Sequence, residues 1–97
     1  MLTSKQRAAL RAMSNGVEAI LQIGKSGVGD QLVKQVDDAL EARELVKLSV
    51  LETAPDPARE AAQELAQRTR SEVVQVIGRK IVLFRPNRDK PGIQLPK

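Results

Sequence analysis

A glycine-rich tetrapeptide is the part of this sequence best suited to chemistry. Gly24-Lys25-Ser26-Gly27 stands where an alternating apolar segment gives way to a segment with helical spacing. The two glycines carry no Cβ, so backbone N–H groups there can approach an anion closely, and Lys25 adds a full positive charge. The start of the following helix adds unpaired N–H donors and a partial positive charge. The motif predicts a phosphate-binding loop, although the same glycines also suit a simple tight turn between a strand and a helix.

The Gly-Lys-Ser order also raises the question of a nucleotide-binding P-loop. That loop, G-x-x-x-x-G-K-[ST], needs a glycine five positions before Gly24, and this chain has Ala19 there. The order G-x-x-G-x-G also differs from the G-x-G-x-x-G fingerprint of dinucleotide-binding folds. We therefore do not expect a nucleotide-hydrolysing enzyme.

The composition removes most other catalytic chemistry. The 97 residues include no cysteine and no histidine, which excludes disulfides, thiolate zinc sites and the commonest general base. Phe84 is the one aromatic residue, so no platform for stacking bases or sugars is expected. We predict a binding module and not an enzyme, with no cofactor and no bound metal.

Positive charge is concentrated at the two ends of the chain. The net charge is +4, but residues 1–27 carry +3, residues 28–67 carry −5 and residues 68–97 carry +6. A fold that brings the two ends together would create a basic face, and such faces usually bind polyanions. Two clusters of cations stand out, although each alone is typical of an ordinary soluble surface: Lys5, Arg7 and Arg11 in the first helix, and Arg79, Lys80 and Arg85 in the last hairpin.

An acidic stretch lies between these basic ends. Asp37, Asp38, Glu41 and Glu44 fall at helical spacing opposite an apolar stripe, which is typical of a solvated helix face. An alternative function follows from them, in which the acidic second helix binds a basic protein partner and the chain acts as an adaptor.

The hydrophobic periodicity predicts seven elements that would position these residues. A helix opens at Thr3, with Gln6 at capping-box spacing, and ends at Asn15-Gly16. The other predicted elements are a strand over 17–23 with one well-buried face, a helix from Val28, a strand over 45–52, a helix capped by Asp56 with Pro57 as its first residue, and strands over 73–77 and 80–84 joined by a Gly78-Arg79 turn. The order α-β-α-β-α-β-β predicts an α/β domain with a mixed four-stranded sheet and helices on at least one face.

The length allows one domain, which we place at residues 1–86. Residues 87–97 form a basic segment with Pro91 and Pro96, and we expect it to be extended and partly mobile. No segment approaches the roughly 18 apolar residues that a membrane span requires, and no apolar leader opens the chain. We expect a cytoplasmic monomer.

Taken in their order along the chain, these segments resemble the CRM domain (chloroplast RNA splicing and ribosome maturation), in its stand-alone bacterial YhbY-type form. The matching residues are 2–7 with Leu10-Arg11, then 23–28, then 44–47, and finally 74–86. The resemblance implies a fold similar to the C-terminal domain of translation initiation factor three. It also implies RNA binding through a G-x-x-G loop, in association with the rRNA of precursor large ribosomal subunits.

The implied site residues are carried over by position. The loop residues are Gly24, Lys25, Ser26 and Gly27, and the supporting cations are Lys5, Arg7, Arg11, Lys47, Arg79 and Arg85. This chain has Ser14-Asn15 where family members often have an Ala-His pair, and Phe84 where they often have a tyrosine. Contacts made by that imidazole or phenol hydroxyl are therefore lost here, while the loop is intact.

Overall fold

The computed structural model, which describes residues 2–87, 89 and 91–96, contains the seven elements in the predicted order. The predicted fold class is confirmed. The elements are α1 (Ser4–Ser14), β1 (Ala19–Ile23), α2 (Asp30–Arg43), β2 (Leu45–Val50), α3 (Ala58–Thr69), β3 (Glu72–Ile77) and β4 (Lys80–Phe84).

The sequence predicted the N-cap of α1 correctly and placed the N-cap of α3 one residue too early. At α1, the Thr3 hydroxyl accepts from the Gln6 N–H and the Gln6 side chain accepts from the Thr3 N–H, so the predicted capping box is present. At α3 the N-cap is Pro57 and not Asp56, because the ψ of Pro57 is 153° and the helix therefore begins at Ala58. Proline fixes only φ, so its extended ψ delays the helix by one residue.

The four strands form one mixed sheet in the order β1-β2-β4-β3. β1 pairs with β2 in parallel, while β4 pairs antiparallel with both β2 and β3. β1, β2 and β3 therefore point the same way and their carboxyl ends meet at one edge of the sheet. We refer to residues 24–27, 51–57 and 78–79, which follow these three strands, as the loop edge.

Helices cover both faces of the sheet. α2 and α3 pack on one face over the larger buried cluster, which includes Val36 and Leu40 of α2 and Leu65 of α3. α1 packs on the other face over a smaller cluster made by Leu10, Leu45, Val74, Val82 and Phe84. The predicted alternation of β2 is confirmed, because Val46, Leu48 and Val50 belong to the larger cluster while Leu45 belongs to the smaller one.

β1 is less buried than its alternation predicts. Only Ile23 is buried, and Leu21 is half-buried, while Ala19 is exposed. The register with β2 shifts between Ala19 and Leu21, which marks a β-bulge, and β1 lies at the edge of the sheet. A bulge interrupts the two-residue periodicity, so the prediction of one continuous buried face was wrong at the start of the strand.

Residues after β4 return across the α1 face without forming a helix or strand in their described part. Ile93 and Leu95 pack against the smaller cluster, and the Gln6 side-chain amide donates to the Pro96 carbonyl at 3.1 Å. Arg88, Lys90 and Lys97 of the predicted tail lie outside the described residues.

One carboxylate holds this returning segment. Glu44 accepts from the backbone N–H of Asn87 at 2.7 Å through Oε2, and from those of Gly92 and Ile93 at 2.7 and 2.9 Å through Oε1. We call this arrangement the Glu44 clasp. Burial alone would raise the pKa of Glu44, but the three N–H donors outweigh burial and hold the pKa below its ordinary value.

Among the described residues, none of the helices combines the length and the apolar character that crossing a membrane requires.

Candidate nucleic-acid interface

The second glycine of the loop is required by the fold. The Gly27 N–H donates to the Gly24 carbonyl at 3.0 Å and closes the turn. Gly27 has a φ of +66°, and a Cβ built there would lie 3.0 Å from Pro55 Cγ. A residue with a side chain is strained in this backbone region and would also press on Pro55. Gly27 therefore shapes the loop and fits it against residues 51–57.

The first glycine is not required in the same way. The φ of Gly24 is not positive, and a Cβ there would meet Leu51 Cδ1 at 3.9 Å, an ordinary van der Waals contact. The folded chain alone would therefore tolerate alanine at this position. Since neither backbone conformation nor packing requires glycine at position 24, the remaining reason for it is the close approach of a ligand to the backbone.

The loop leads into the amino terminus of α2. Gly29 is the N-cap, and within the described part of the chain no side chain caps this helix start. Free N–H groups at a helix start, with the helix dipole behind them, suit a phosphate. The one carboxylate of the first turn, Asp30, is bound by the Arg68 guanidinium, which offsets its charge.

A shallow groove of about 330 Å³ lies beside the loop. Its lining residues are Gln22, Gly24, Lys25, Ser26, Gly27, Gly29, Gln31, Leu32 and Gln35. Lys25 and Ser26 are exposed there, so their polar groups face solvent. Sequence reasoning missed the three glutamines because an amide carries no charge. The spacing of Gln31 and Gln35, four residues apart in the helix that follows the loop, was the signal available.

The loop edge brings other cations near the loop. The Val50 N–H donates to the Arg79 carbonyl at 2.7 Å, and the Leu51 N–H donates to the Ile23 carbonyl at 2.9 Å. These two bonds set the hairpin tip, the end of β2 and the end of β1 side by side. Lys25 and Arg79, 54 positions apart in the sequence, therefore lie on one edge. Arg79 also forms an exposed ion pair with Glu52 at 3.3 Å.

The cations of α1 have two different environments. Lys5 and Arg11 are exposed, whereas Arg7 is half-buried and its guanidinium donates to the Val73 and Val74 carbonyls. Arg7 therefore anchors α1 to β3, and it brings the basic first helix onto the basic carboxyl-terminal hairpin. The Lys47 ammonium donates to the Ser14 carbonyl at 3.2 Å, at the end of α1.

Arg85 belongs to a different part of the molecule. Its guanidinium donates to Asp37 Oδ1 at 2.6 Å, Glu41 Oε2 at 3.3 Å and the Thr69 carbonyl at 2.7 Å, and its side chain is only 19% exposed. These contacts tie the end of β4 to the acidic face of α2. They were not foreseeable from the sequence, because Asp37 and Glu41 are 48 and 44 residues away and Thr69 is 16 residues away. A direct contact of Arg85 with RNA stays a prediction.

Known proteins resemble this chain over nearly its whole length. The sequence matches the CRS1 / YhbY (CRM) domain over residues 2–85. It is 43% identical over 96 residues to the probable RNA-binding protein YqeI of Bacillus subtilis, covering 99% of this chain and 100% of that protein. It is 38% identical over 87 residues to the probable RNA-binding protein MJ0652 of Methanocaldococcus jannaschii, covering 88% of this chain and 64% of that protein.

A solved structure shows the same architecture. The solution structure of the hypothetical protein SAV1595 from Staphylococcus aureus matches with a TM-score of 0.83 at 46% identity, covering 99% of this chain and 100% of that one. The similarity extends over α1, the loop and the hairpin together.

Proposed function

Because this chain belongs to the CRS1/YhbY (CRM) domain family, we propose that it binds RNA through the loop edge and the adjoining basic surface. The predicted family is confirmed by these matches. RNA binding is supported by the names of the relatives in Bacillus and Methanocaldococcus, both probable RNA-binding proteins.

The observation that carries the proposal is the contrast between the two loop glycines. Gly27 is explained by backbone conformation and by Pro55, whereas packing does not explain Gly24. A bare backbone beside Lys25 and an uncapped helix start is what a phosphate oxygen needs in order to reach several N–H donors at once. The loop thus serves as the centre of the site, with Ser26 as a hydroxyl donor.

The surrounding cations provide the sequence-independent part of the affinity. Lys5 and Arg11 of α1 are exposed and can contact phosphates directly. Arg79 of the hairpin is also exposed and would exchange its ion pair with Glu52 for a phosphate. Arg7, Lys47 and Arg85 bind backbone carbonyls of this chain, and Arg85 also binds carboxylates. In our proposal, these three mainly position the surface.

The RNA is structured and is recognised mainly by its backbone. With Phe84 buried as the one aromatic residue, the chain has no exposed ring on which unpaired bases could stack. Recognition then depends on phosphates and 2′-hydroxyls, which carry little sequence information. The protein acts by binding and not by catalysis, and its RNA is the rRNA of a precursor large ribosomal subunit, as the resemblance to the stand-alone bacterial form implies.

Titration of an rRNA fragment at several salt concentrations tests the proposal. If about four phosphates are neutralised, log K should fall with log salt with a slope of roughly −3 to −4. A slope near zero would remove the electrostatic basis of the proposal, and absence of binding at low salt would overturn it.

The adaptor alternative has less support from the geometry. The acidic face of α2 already binds Arg85 through Asp37 and Glu41, and Arg68 binds Asp30. Those carboxylates are therefore partly neutralised within the chain. Co-purification after nuclease treatment separates the two functions, because protein partners that persist without RNA would favour the adaptor.

A further inference from the structure

Four side chains in register form a row across the sheet near the loop edge. Gln22 of β1 pairs with Ser49 of β2, Ser49 pairs with Lys80 of β4, and Lys80 pairs with Ile77 of β3. We call these four residues the strand row. Neighbouring strands are about 4.8 Å apart, so the row is about 14 Å long.

The strand row lies on the α1 side of the sheet, beyond the end of α1. Ser49 alternates with Leu48 and Val50, which pack under α2 and α3, so Ser49 faces the opposite side. α1 ends at Ser14, whose carbonyl and hydroxyl accept from Lys47 and Gln75 in the next row of the sheet.

The row is open to solvent. Gln22 and Lys80 are exposed, Ser49 is half-buried, and Ile77 is 65% exposed. α1 thus leaves a strip of sheet uncovered between its own end and the loop edge.

Lys80 and Ser49 together make a donor site suited to an anion. The Lys80 ammonium donates to Ser49 Oγ at 2.6 Å. Because one lone pair of the hydroxyl is engaged by this bond, the hydroxyl proton is free to point outward, and the ammonium keeps two further N–H donors. A phosphate oxygen placed over the pair would receive bonds from both groups, and the pair is already oriented.

The row continues the surface of the loop. The groove is lined partly by α2, but Gln22 belongs to the edge strand β1 and lines it together with Gly24 and Lys25, so the groove and the row meet at this edge of the sheet. Lys80 directly follows Arg79 of the loop edge. None of the four residues is a carboxylate. A chain of phosphates leaving the loop would therefore meet an amide, a hydroxyl and an ammonium in succession.

We propose that the strand row is a second RNA contact, in which the Lys80–Ser49 pair binds a phosphate and Gln22 connects it to the phosphate held at the loop. The inference rests on the proposed RNA-binding function and extends it from a loop to a track across the sheet. A second copy of this chain is a poorer occupant, because a two-fold contact would place the Lys80 and Arg79 cations of both copies close together.

The test compares two lysines that differ in position. Lys80→Gln removes the charge and keeps a group able to donate to Ser49, while Lys34→Gln removes the same charge from an exposed position on α2, on the other face of the sheet. The probe is a duplex RNA hairpin of about 20 base pairs, long enough to exceed the footprint of a small domain. Binding is followed by fluorescence anisotropy at several salt concentrations, and melting temperatures check that both variants fold.

We expect Lys80→Gln to weaken binding roughly three- to tenfold and to reduce the magnitude of the salt slope by about 0.7 to 0.9, the loss of one phosphate contact. Lys34→Gln should match the wild type in both respects. Ser49→Ala should weaken binding by a smaller factor and leave the slope unchanged, since it removes a hydroxyl and no charge. If Lys80→Gln and Lys34→Gln changed the RNA affinity and the salt slope equally, the proposal that the strand row binds RNA would be wrong.

A footprint on the unaltered protein provides an independent measurement. Lysine acetylation followed by mass spectrometry should show that RNA protects Lys80 and not Lys34. Protection of Lys80 without RNA at high protein concentration would assign the row to self-association and overturn the proposal.

The experiments distinguish an error in the strand-row proposal from an error in the proposed RNA-binding function. Suppose that Lys25→Ala weakens RNA binding, while RNA does not protect Lys80 from acetylation and Lys80→Gln leaves the affinity unchanged. The strand row is then not an RNA contact, and the proposed RNA-binding function is retained. If the wild type binds no RNA, the proposed function itself fails.

Discussion

At the scale of single residues, the two loop glycines provide the sharpest prediction. Gly24→Ala should leave the melting temperature nearly unchanged, because its new methyl group meets Leu51 at an ordinary distance. It should weaken RNA binding, because the methyl group obstructs approach to the backbone. Gly27→Ala should lower the free energy of unfolding by about 1 to 2 kcal/mol, the cost of a left-handed conformation for a residue with a side chain.

Thermal denaturation and RNA titration of both variants check this contrast. The interpretation fails if Gly24→Ala destabilises the fold as much as Gly27→Ala, since Gly24 would then be structural. It also fails if Gly24→Ala binds RNA like the wild type.

Lys25 gives a second prediction at this scale. Lys25→Ala should weaken RNA binding by about 1 kcal/mol, the upper end of the range for one solvent-exposed ion pair. The side chain is exposed, so the melting temperature should not change. Lys34→Ala, which removes an equal charge from α2, is the matched control in the same titration. Equal affinity of the two variants would move the site away from the loop.

Arg85 should behave in the opposite manner. Arg85→Ala leaves the Thr69 carbonyl and the carboxylates of Asp37 and Glu41 without this donor. Loss of hydrogen bonds to a charged group that is largely buried should cost about 1 to 3 kcal/mol of unfolding free energy. Urea denaturation measures this cost, and an unchanged midpoint would show that the cluster does not stabilise the fold.

At the scale of elements, the Glu44 clasp links the end of α2 to the segment that follows β4. Glu44 has a φ of +65°, a conformation that side chains rarely adopt, so the backbone is strained at this C-cap. The three N–H donors to its carboxylate offset that strain. A Cβ at Gly92 would lie 2.9 Å from Glu44 Oε1, so a side chain there would push the carboxylate out of its place in the clasp.

The clasp predicts a dependence of stability on pH. Since the folded pKa of Glu44 lies below the ordinary value of 4.5, its contribution is fully present above about pH 4.5 and is lost as the pH falls through the folded pKa. Glu44→Gln should reduce the unfolding free energy at pH 7 by about 1 to 3 kcal/mol, because the amide replaces an acceptor with a donor. The difference between wild type and variant should shrink on acidification.

Urea denaturation at pH 7 and at lower pH measures this change. Glu60→Gln, on the exposed side of α3, serves as the control. A difference between wild type and Glu44→Gln that is constant over the pH range would contradict the clasp as the origin of the effect.

The elements were predictable where the signal is local. The capping box of α1, the alternation of β2 and the hairpin turn with Gly78 at a φ of +56° all depend on residues a few positions apart. The bulge in β1 and the late start of α3 are local irregularities that periodicity does not encode. The clasp joins residues 43–49 positions apart, so no pattern in either segment could indicate it.

At the scale of the whole molecule, the topology places the basic first helix and the acidic side of α2 on opposite sides of the sheet. α1, with Lys5 and Arg11 exposed, lies on one face, and the acidic side of α2 lies on the other. The sequence indicated a basic face only on the condition that the fold brings the two basic ends together, and α1 packs on β3 through Arg7. The sequence could not indicate which cations remain available to a ligand, because Arg7 and Arg85 find partners only in the folded chain.

The burial of Phe84 makes this protein convenient to observe. Its ring, 2% exposed, lies in the cluster against which Ile93 and Leu95 pack. With no other aromatic side chain in the sequence, any strong ring-current shift of a methyl resonance must come from this one ring. The upfield methyl signals of a proton NMR spectrum therefore come from the side chains around Phe84, and those assigned to Ile93 and Leu95 report on whether these two residues are seated.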